Sequence, residues 1–208
     1  MKFNEEMLCH LRESVSGTMS PKRFLHTAAV EKMAARLGEL YAPEKTDILR
    51  AAALLHDITK EYSAEKQLQT CNAFGIILEK QDILTPKTLH AKTAAALIPV
   101  LYPDFADEEV ISAVRWHTTG HEDMTILEKL VYLADYIDES RSFPDCVALR
   151  SLFWDAEPQK MNEAERAAHL DRVLIRSFDI TLASLIEKGA PVSSDTFSAR
   201  NYLIVSQM

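Results

Sequence analysis

Six residues of this chain are of types that bind divalent metals, and they sit where a helical sequence would otherwise be apolar: His26, His56, Asp57, His90, His117 and Asp135. The sharpest signal is His56-Asp57, which closes the apolar run Ala51-Ala52-Ala53-Leu54-Leu55. Two ionisable groups ending so apolar a helix cost free energy unless their heads are paired or hold an ion. Adjacent helical residues diverge by about 100°, so both reach one ion only where the helix end points at it. A carboxylate beside an imidazole suits a borderline or hard divalent ion such as iron or manganese, and it can bridge two. On its own the dipeptide reads more readily as a capping histidine and a solvated acid. The neighbours reverse that balance. His26 lies in the middle of an amphipathic helix, beside Leu25 and one turn before Val30. His90 falls near the start of another helix and His117 at the end of a third, while Asp135 follows Leu133-Ala134 in a helix with no other reason to turn an acid inward. Singly, each has a bland account as a core histidine, a cap or a surface carboxylate; one shared metal centre accounts for all six. His10 and His169, in polar and charged surroundings, are expected at the surface.

The elements that must position these residues read as helices throughout. Only 5 Gly and 8 Pro occur in 208 residues, and apolar positions recur with helical spacing between capping signals. Ser20-Pro21 supplies an N-cap and a proline at the first helical position. Pro43 is expected to open a second helix running through Leu55, and Ser63 a shorter one ending near Gly75. Helices are further expected over about 88–101, from the Asp107 cap, and from the capping box Thr125-Ile-Leu-Glu128. After a loop at 139–145, a long helix of about 162–188 stops at Gly189. No segment alternates apolar and polar residues as a strand would. The expectation is one all-α domain of about eight to ten helices, with an N-terminal helix and loop over 1–19, a metal-binding core over 20–140 and C-terminal helices over 141–208.

Composition narrows the function. Hydrophobic residues make up 47% and charged residues 26%, which excludes a disordered chain. With 31 acids against 23 bases, the net charge of −8 makes DNA or RNA a poor partner. A small anionic ligand stays open, because a bound metal reverses the local field. The three cysteines, Cys9, Cys71 and Cys146, form no CxxC pair and fit neither a disulfide framework nor a zinc knuckle. The polar N-terminus lacks a secretory h-region, and no apolar run approaches the ~18 residues that span a bilayer. No membrane association is expected, and a reduced, cytoplasmic setting is.

The order of the six residues resembles that of the HD-domain metal-dependent phosphohydrolases, an all-α superfamily. Longer stretches resemble the bacterial YqeK-type branch: Arg23-Phe-Leu-His26-Thr27, Leu54-Leu-His56-Asp57-Ile-Thr-Lys60, Arg115-Trp-His117-Thr118-Thr119-Gly120 and Tyr132-Leu-Ala-Asp135-Tyr-Ile. So do the loop Arg141-Ser-Phe-Pro144 and the tail Pro191-Val-Ser-Ser-Asp195-Thr196-Phe197. That branch comprises symmetrical bis(5′-nucleosyl)-tetraphosphatases, which cleave diadenosine tetraphosphate into two ADP. The resemblance implies that His26, His56, Asp57 and Asp135 hold iron, with manganese or another divalent ion as the alternative and one or two ions in all. His90 and His117 would either hold a second ion or touch the substrate phosphates, with the expectation leaning to phosphate contact. Together with Asp57 they are the residues assigned to catalysis.

Substrate binding would fall to Arg23, three residues before His26 on one helical face, and to Lys60, Thr118, Thr119 and Arg141. His90 and His117 would join them, and Pro191, Asp195 and Thr196 of the tail would complete the nucleotide site. Without the resemblance, the three basic residues read as ordinary surface charge and the tail as a helix-ending turn and cap. One departure stands out: the position after His-Thr-Thr-Gly, often arginine in relatives, is His121. The partners implied are a dinucleoside polyphosphate and its ADP or GDP product, with a homodimer through apolar residues at helix ends. Two other functions compete. A non-catalytic nucleotide sensor would lack a metal ligand, and all six are present. A di-iron oxygenase of HD type suits a neutral substrate better than the set Arg23, Lys60 and Arg141.

Overall fold

The computed structural model of the chain describes residues 2–208. Eleven α-helices and four short 3₁₀ turns make up the regular structure of those residues. In order the helices are α1 (Glu5–Ser16), α2 (Pro21–Tyr41), α3 (Thr46–Leu55), α4 (Ala64–Ala73), α5 (Lys80–Leu84) and α6 (Leu89–Leu101). They continue as α7 (Glu108–Trp116), α8 (Ile126–Ile137), α9 (Pro144–Trp154), α10 (Glu163–Glu187) and α11 (Ser194–Val205). No strand occurs among the described residues, and none of their helices is long and apolar enough to cross a membrane. The count passes the expected eight to ten by one. Helix α5, only five residues long and without a buried side chain, carries no apolar periodicity to announce it.

The capping chemistry set most boundaries where it was expected. Ser20 accepts from the Arg23 amide, Ser63 from Lys66, and Asp107 from Glu109 and Val110. Thr125 and Glu128 close a reciprocal capping box at the start of α8. The end of α10 is a Schellman motif: Gly189 adopts φ +60°, Ala190 donates to the Leu185 carbonyl at 2.9 Å and Gly189 to Ile186 at 3.0 Å. Pro43 behaves differently from expectation. It opens a 3₁₀ turn, Pro43–Lys45, and α3 begins only at Thr46.

Helix α3 is the axis of the fold. It packs against α1, α2, α7 and α8, and Leu49 and every residue from Ala51 to Leu55 are fully buried. Its second half is surrounded on all sides, which explains the apolar run Ala51–Leu55. Buried Glu31 of α2 ties three helices together, accepting from Arg12 of α1 at 2.6 and 2.9 Å and from Arg50 of α3 at 3.0 Å. Asp47 of α3 accepts from the Phe3 amide at 2.7 Å and so fixes the N-terminal segment. His169 is corrected by the structure. It is buried in α10, on the stripe that carries Val173 and Ser177, and its Nε2 lies 3.0 Å from the Phe153 carbonyl.

Candidate metal centre

The ends of α3, α7 and α8, the first turn of α6 and the middle of α2 converge on one buried point. His56 caps α3 and Asp57 follows it; His117 caps α7; His90 lies in the first turn of α6; His26 comes from α2 and Asp135 from α8. The six expected residues are thus brought together.

Asp57 stands at the middle, and its two oxygens face different partners. Oδ2 is 3.4 Å from His56 Nε2 and 3.8 Å from His26 Nε2, whereas Oδ1 is 3.3 Å from His90 Nε2 and 3.8 Å from His117 Nε2. Asp135 Oδ1 lies 2.9 Å from His26 Nε2 and 3.8 Å from His56 Nε2. Three of the imidazoles are oriented by main chain. The Nδ1 atoms of His56, His90 and His117 lie 2.6, 2.8 and 2.7 Å from the carbonyls of Ala53, Lys87 and Val114, each three residues earlier. A ring that donates through Nδ1 presents an unprotonated Nε2. Burial, reinforced by the Lys60 ammonium, pushes the pKa of His90 down to about 4. Burial and the neighbouring His90 and His56 rings hold His117 well below the usual histidine range. Both rings are therefore neutral at pH 7.

Lone pairs then face one another. His90 Nε2 and His117 Nε2 are 3.0 Å apart, and Thr118 Oγ1, 3.1 Å from each, has one proton to give. His56 Nε2 and Asp57 Oδ1 are buried with no hydrogen-bond partner. Converging, unsatisfied acceptors of nitrogen and carboxylate type are what a divalent cation requires, so the donor set fits a metal. Within it, His26, His56 and Asp57 come within ligand distance of one another, as do Asp57, His90 and His117, and as do His56, His117 and Asp135.

The acids keep their charge. Burial alone would raise the Asp57 carboxyl, but His56, Lys60 and His90 hold it well below the usual range; Arg141, His26 and His56 do the same for Asp135. Burial also opposes a charge on His26, yet the Asp135 and Asp138 carboxylates outweigh it and lift the pKa to about 9.

The basic residues named from sequence surround this cluster. Arg23 Nη1 is 2.7 Å from Asp57 Oδ2, and Lys60 Nζ is 3.0 Å from His90 Nε2. Arg141 pairs with Asp135 and lies 3.3 Å from Asp138 Oδ2. Arg150 of α9 holds that corner, donating to the Ile137 and Arg141 carbonyls at 2.7 and 2.8 Å at the end of α8. Beside the cluster lies a cavity of about 250 Å³, lined by Lys60, His117, Thr118, Asp135 and Arg141 and walled by Tyr132, Tyr136, Cys146 and Thr181. Thr119 turns away, its hydroxyl bonded to the Gly120 carbonyl at 3.0 Å. Pro191, Asp195 and Thr196 lie just before and in the first turn of α11 and do not line this cavity; Pro191 is exposed, and the Thr196 side chain is buried. Gly120, at φ +64°, lets α11 and α10 approach: a Cβ there would meet Phe178 at 2.8 Å and Ala199 at 3.1 Å. His121 points to Glu128 (3.0 Å) and stacks on Trp116.

Asp138 was missed by the sequence reading. It is fully buried, and its Oδ2 lies 3.3 Å from His26 Nδ1, so it orients the one imidazole of the centre that no carbonyl holds. Its signal was available, since Asp135 and Asp138 are three residues apart and share a helical face.

Residues 23–140 match the HD domain family. A Bacillus subtilis (strain 168) protein named "Bis(5′-nucleosyl)-tetraphosphatase, symmetrical" is 31% identical, over 98% of this chain and 98% of its own. A Halalkalibacterium halodurans protein of the same name is 30% identical over 91% of this chain and 92% of its own. A crystal structure described as a "predicted HD superfamily hydrolase involved in NAD metabolism" from Clostridium acetobutylicum superposes with a TM-score of 0.82. It is 32% identical and is covered over 97% of its length, against 95% of this chain.

Proposed function

The chain belongs to the HD-domain family, alongside relatives named symmetrical bis(5′-nucleosyl)-tetraphosphatases, and from that membership we propose that it hydrolyses diadenosine tetraphosphate into two ADP. The observation that carries the reading is the division of Asp57, one oxygen toward His26 and His56 and the other toward His90 and His117. It supports a two-ion centre: His26, His56, Asp57 and Asp135 would hold one ion, and Asp57, His90 and His117 the other. The facing Nε2 atoms favour this over the phosphate contact to which the sequence leant for His90 and His117. Iron is the ion we assign, with manganese as the alternative. When bound, such ions supply a water of lowered pKa and positive charge against the phosphate oxygens.

The protein's own groups do the rest. Lys60 and Arg141, which line the cavity, offset the charge of the bridging phosphates, and the Thr118 hydroxyl donates to them. Arg23 completes the basic rim from the Asp57 side. Gripping a nucleoside diphosphate half in this cavity would bring its second phosphorus to the side lined by His117 and Asp135. Water adds to that phosphorus, the bond to the bridging oxygen at the centre of the substrate breaks, and the second ADP departs on its terminal phosphate oxygen. That leaving group needs no strong acid. A triphosphate bridge cut the same way gives ADP and AMP. The reaction is read as cytoplasmic, in keeping with three unpaired cysteines.

The test is incubation of iron-loaded protein with diadenosine tetraphosphate and separation of early products by ion exchange. ADP alone is expected. Equal ATP and AMP would overturn the symmetrical cut, and absence of cleavage would overturn the reading as a whole.

A further inference from the structure

A second cavity, of about 600 Å³, lies across Arg141 from the first. Its inner wall is His26, Arg23 and Arg141, the edge of the metal centre, and its outer wall is Leu25 of α2 and Phe143 at the start of α9. Both apolar side chains are strongly exposed, Leu25 at 68% and Phe143 at 67%. Neither is needed to fill the core, and together they flank a space that is basic on its inner side and apolar on its outer side. Lys22 adds a further cation and Ser140 and Ser142 add hydroxyls, while the one carboxylate of the lining, Glu61, is engaged by the amide and hydroxyl of Ser20.

This gradient matches one end of a nucleotide. A substrate with a nucleoside at each end and its reacting phosphorus atoms at the centre needs a compartment on each side of the ions. The cavity walled by Tyr132 and Tyr136 is one such compartment, and Arg141 is common to both. We propose that the cavity between Leu25 and Phe143 is the subsite for the second, departing nucleoside diphosphate, with its base stacked on Phe143 against Leu25 and its phosphates on Arg23 and Arg141. The inference rests on the proposed function, and it adds the assignment of the two halves to separate cavities. It also gives Arg23 and Arg141 a second task, since each reaches a carboxylate of the centre from the wall of this cavity.

Phe143→Ala and Leu25→Ala remove exposed side chains, and an unchanged melting temperature will show that both variants fold. Each is assayed against diadenosine tetraphosphate and against adenosine 5′-tetraphosphate, which has no second base. The preference for the dinucleotide, as a ratio of kcat/KM values, is expected to fall about tenfold in Phe143→Ala, within the range for loss of one base stack. The fall should appear in KM. A preference within twofold of wild type in both variants would overturn the proposal. Calorimetric titration of the iron-loaded protein with ADP judges the subsite without turnover: two ADP per chain are expected, with one weakened about tenfold in Phe143→Ala. A single site, or two sites unaffected by both substitutions, would overturn it. Should wild-type protein fail to cleave the dinucleotide, the proposed function falls, and the ADP titration alone then decides the cavity.

Discussion

Asp57→Asn separates the two halves of the centre with a change of almost no volume. The carboxylate has Arg23 Nη1 at 2.7 Å from Oδ2, a donor that an amide can satisfy only with its oxygen. The new NH₂ group therefore takes the place of Oδ1, which is 3.3 Å from His90 Nε2 and 3.8 Å from His117 Nε2. There its N–H donates to the unprotonated Nε2 of His90, so the variant replaces a carboxylate ligand with a hydrogen bond. The His90–His117 half loses its anionic ligand; the His26–His56–Asp135 half exchanges a carboxylate oxygen for an amide oxygen. Metal content should fall from two ions per chain to one. Charge stabilisation by a metal contributes several kcal/mol to such transition states, and a loss of about 4 kcal/mol lowers kcat about 10³-fold. Elemental analysis after anaerobic iron loading and desalting reads the first number, and initial rates of ADP release read the second. Circular dichroism should show wild-type helix content. Two ions per chain with turnover within tenfold of wild type would refute the division of Asp57 between two sites. Asp57→Ala, which removes both oxygens, should abolish metal retention and hydrolysis together.

Four further outcomes are expected. His90→Ala and His117→Ala should each lose about one ion per chain as a ligand is removed; unchanged metal content with a raised KM would return them to phosphate contact. Arg141→Ala should raise KM more than it lowers kcat, because the guanidinium grips phosphate equally in ground and transition states, and steady-state kinetics with the dinucleotide will check it. Glu31→Ala removes the shared acceptor of Arg12 and Arg50 at the junction of α1, α2 and α3, and because Arg50 keeps its pair with Glu5 it should cost about 2 kcal/mol in urea unfolding, within the range for hydrogen bonds to charged groups. Glu128→Gln tests a pH effect away from the metal. Burial works against the Glu128 charge, but Ser112, the Thr125 amide and His121 lower its pKa below the usual glutamate value of about 4.3, so its stabilisation is full above that value and lost as pH falls through the lower, folded one. Wild type should therefore melt above Glu128→Gln at pH 7, with the gap closing in acid; a gap constant from pH 7 to about 3.5 would contradict the sign.

The centre was legible in sequence because each ligand interrupts an apolar helical pattern, and an interruption is visible without knowing the fold. His56-Asp57 after five buried residues is the clearest case. The bundle was legible for the same reason, through caps at Ser20, Ser63, Asp107 and Thr125 that act within a turn of themselves. What escaped depends on contacts between distant segments. His169 is buried because α9 offers it the Phe153 carbonyl, and nothing within α10 says so. Asp138 was passed over because the reading stopped at Asp135, although its role as orienter of His26 follows from the same helical face. The tail 191–197 was assigned by resemblance, whereas its place beside the Gly120 turn is set by the packing of α11 on α10. The side chains Leu25 and Phe143 looked unremarkable in sequence, since only the approach of the 138–143 loop to α2 puts them on one cavity.

Three of the four imidazoles in the centre are held by carbonyl oxygens three residues back, and only His26 is held by side chains, Asp138 and Ser140. A carbonyl is present whatever residue carries it, so no point substitution short of a change in backbone course can delete those three supports. Lineages are free to replace Ala53, Lys87 or Val114 with any residue that its packing admits and still inherit correctly turned rings. Sequence drift around the centre is thereby decoupled from its chemistry at three corners and coupled to it at the fourth. Inherited loss of function that spares all six ligands should accordingly concentrate at Asp138 and Ser140, the orienting groups that mutation can remove.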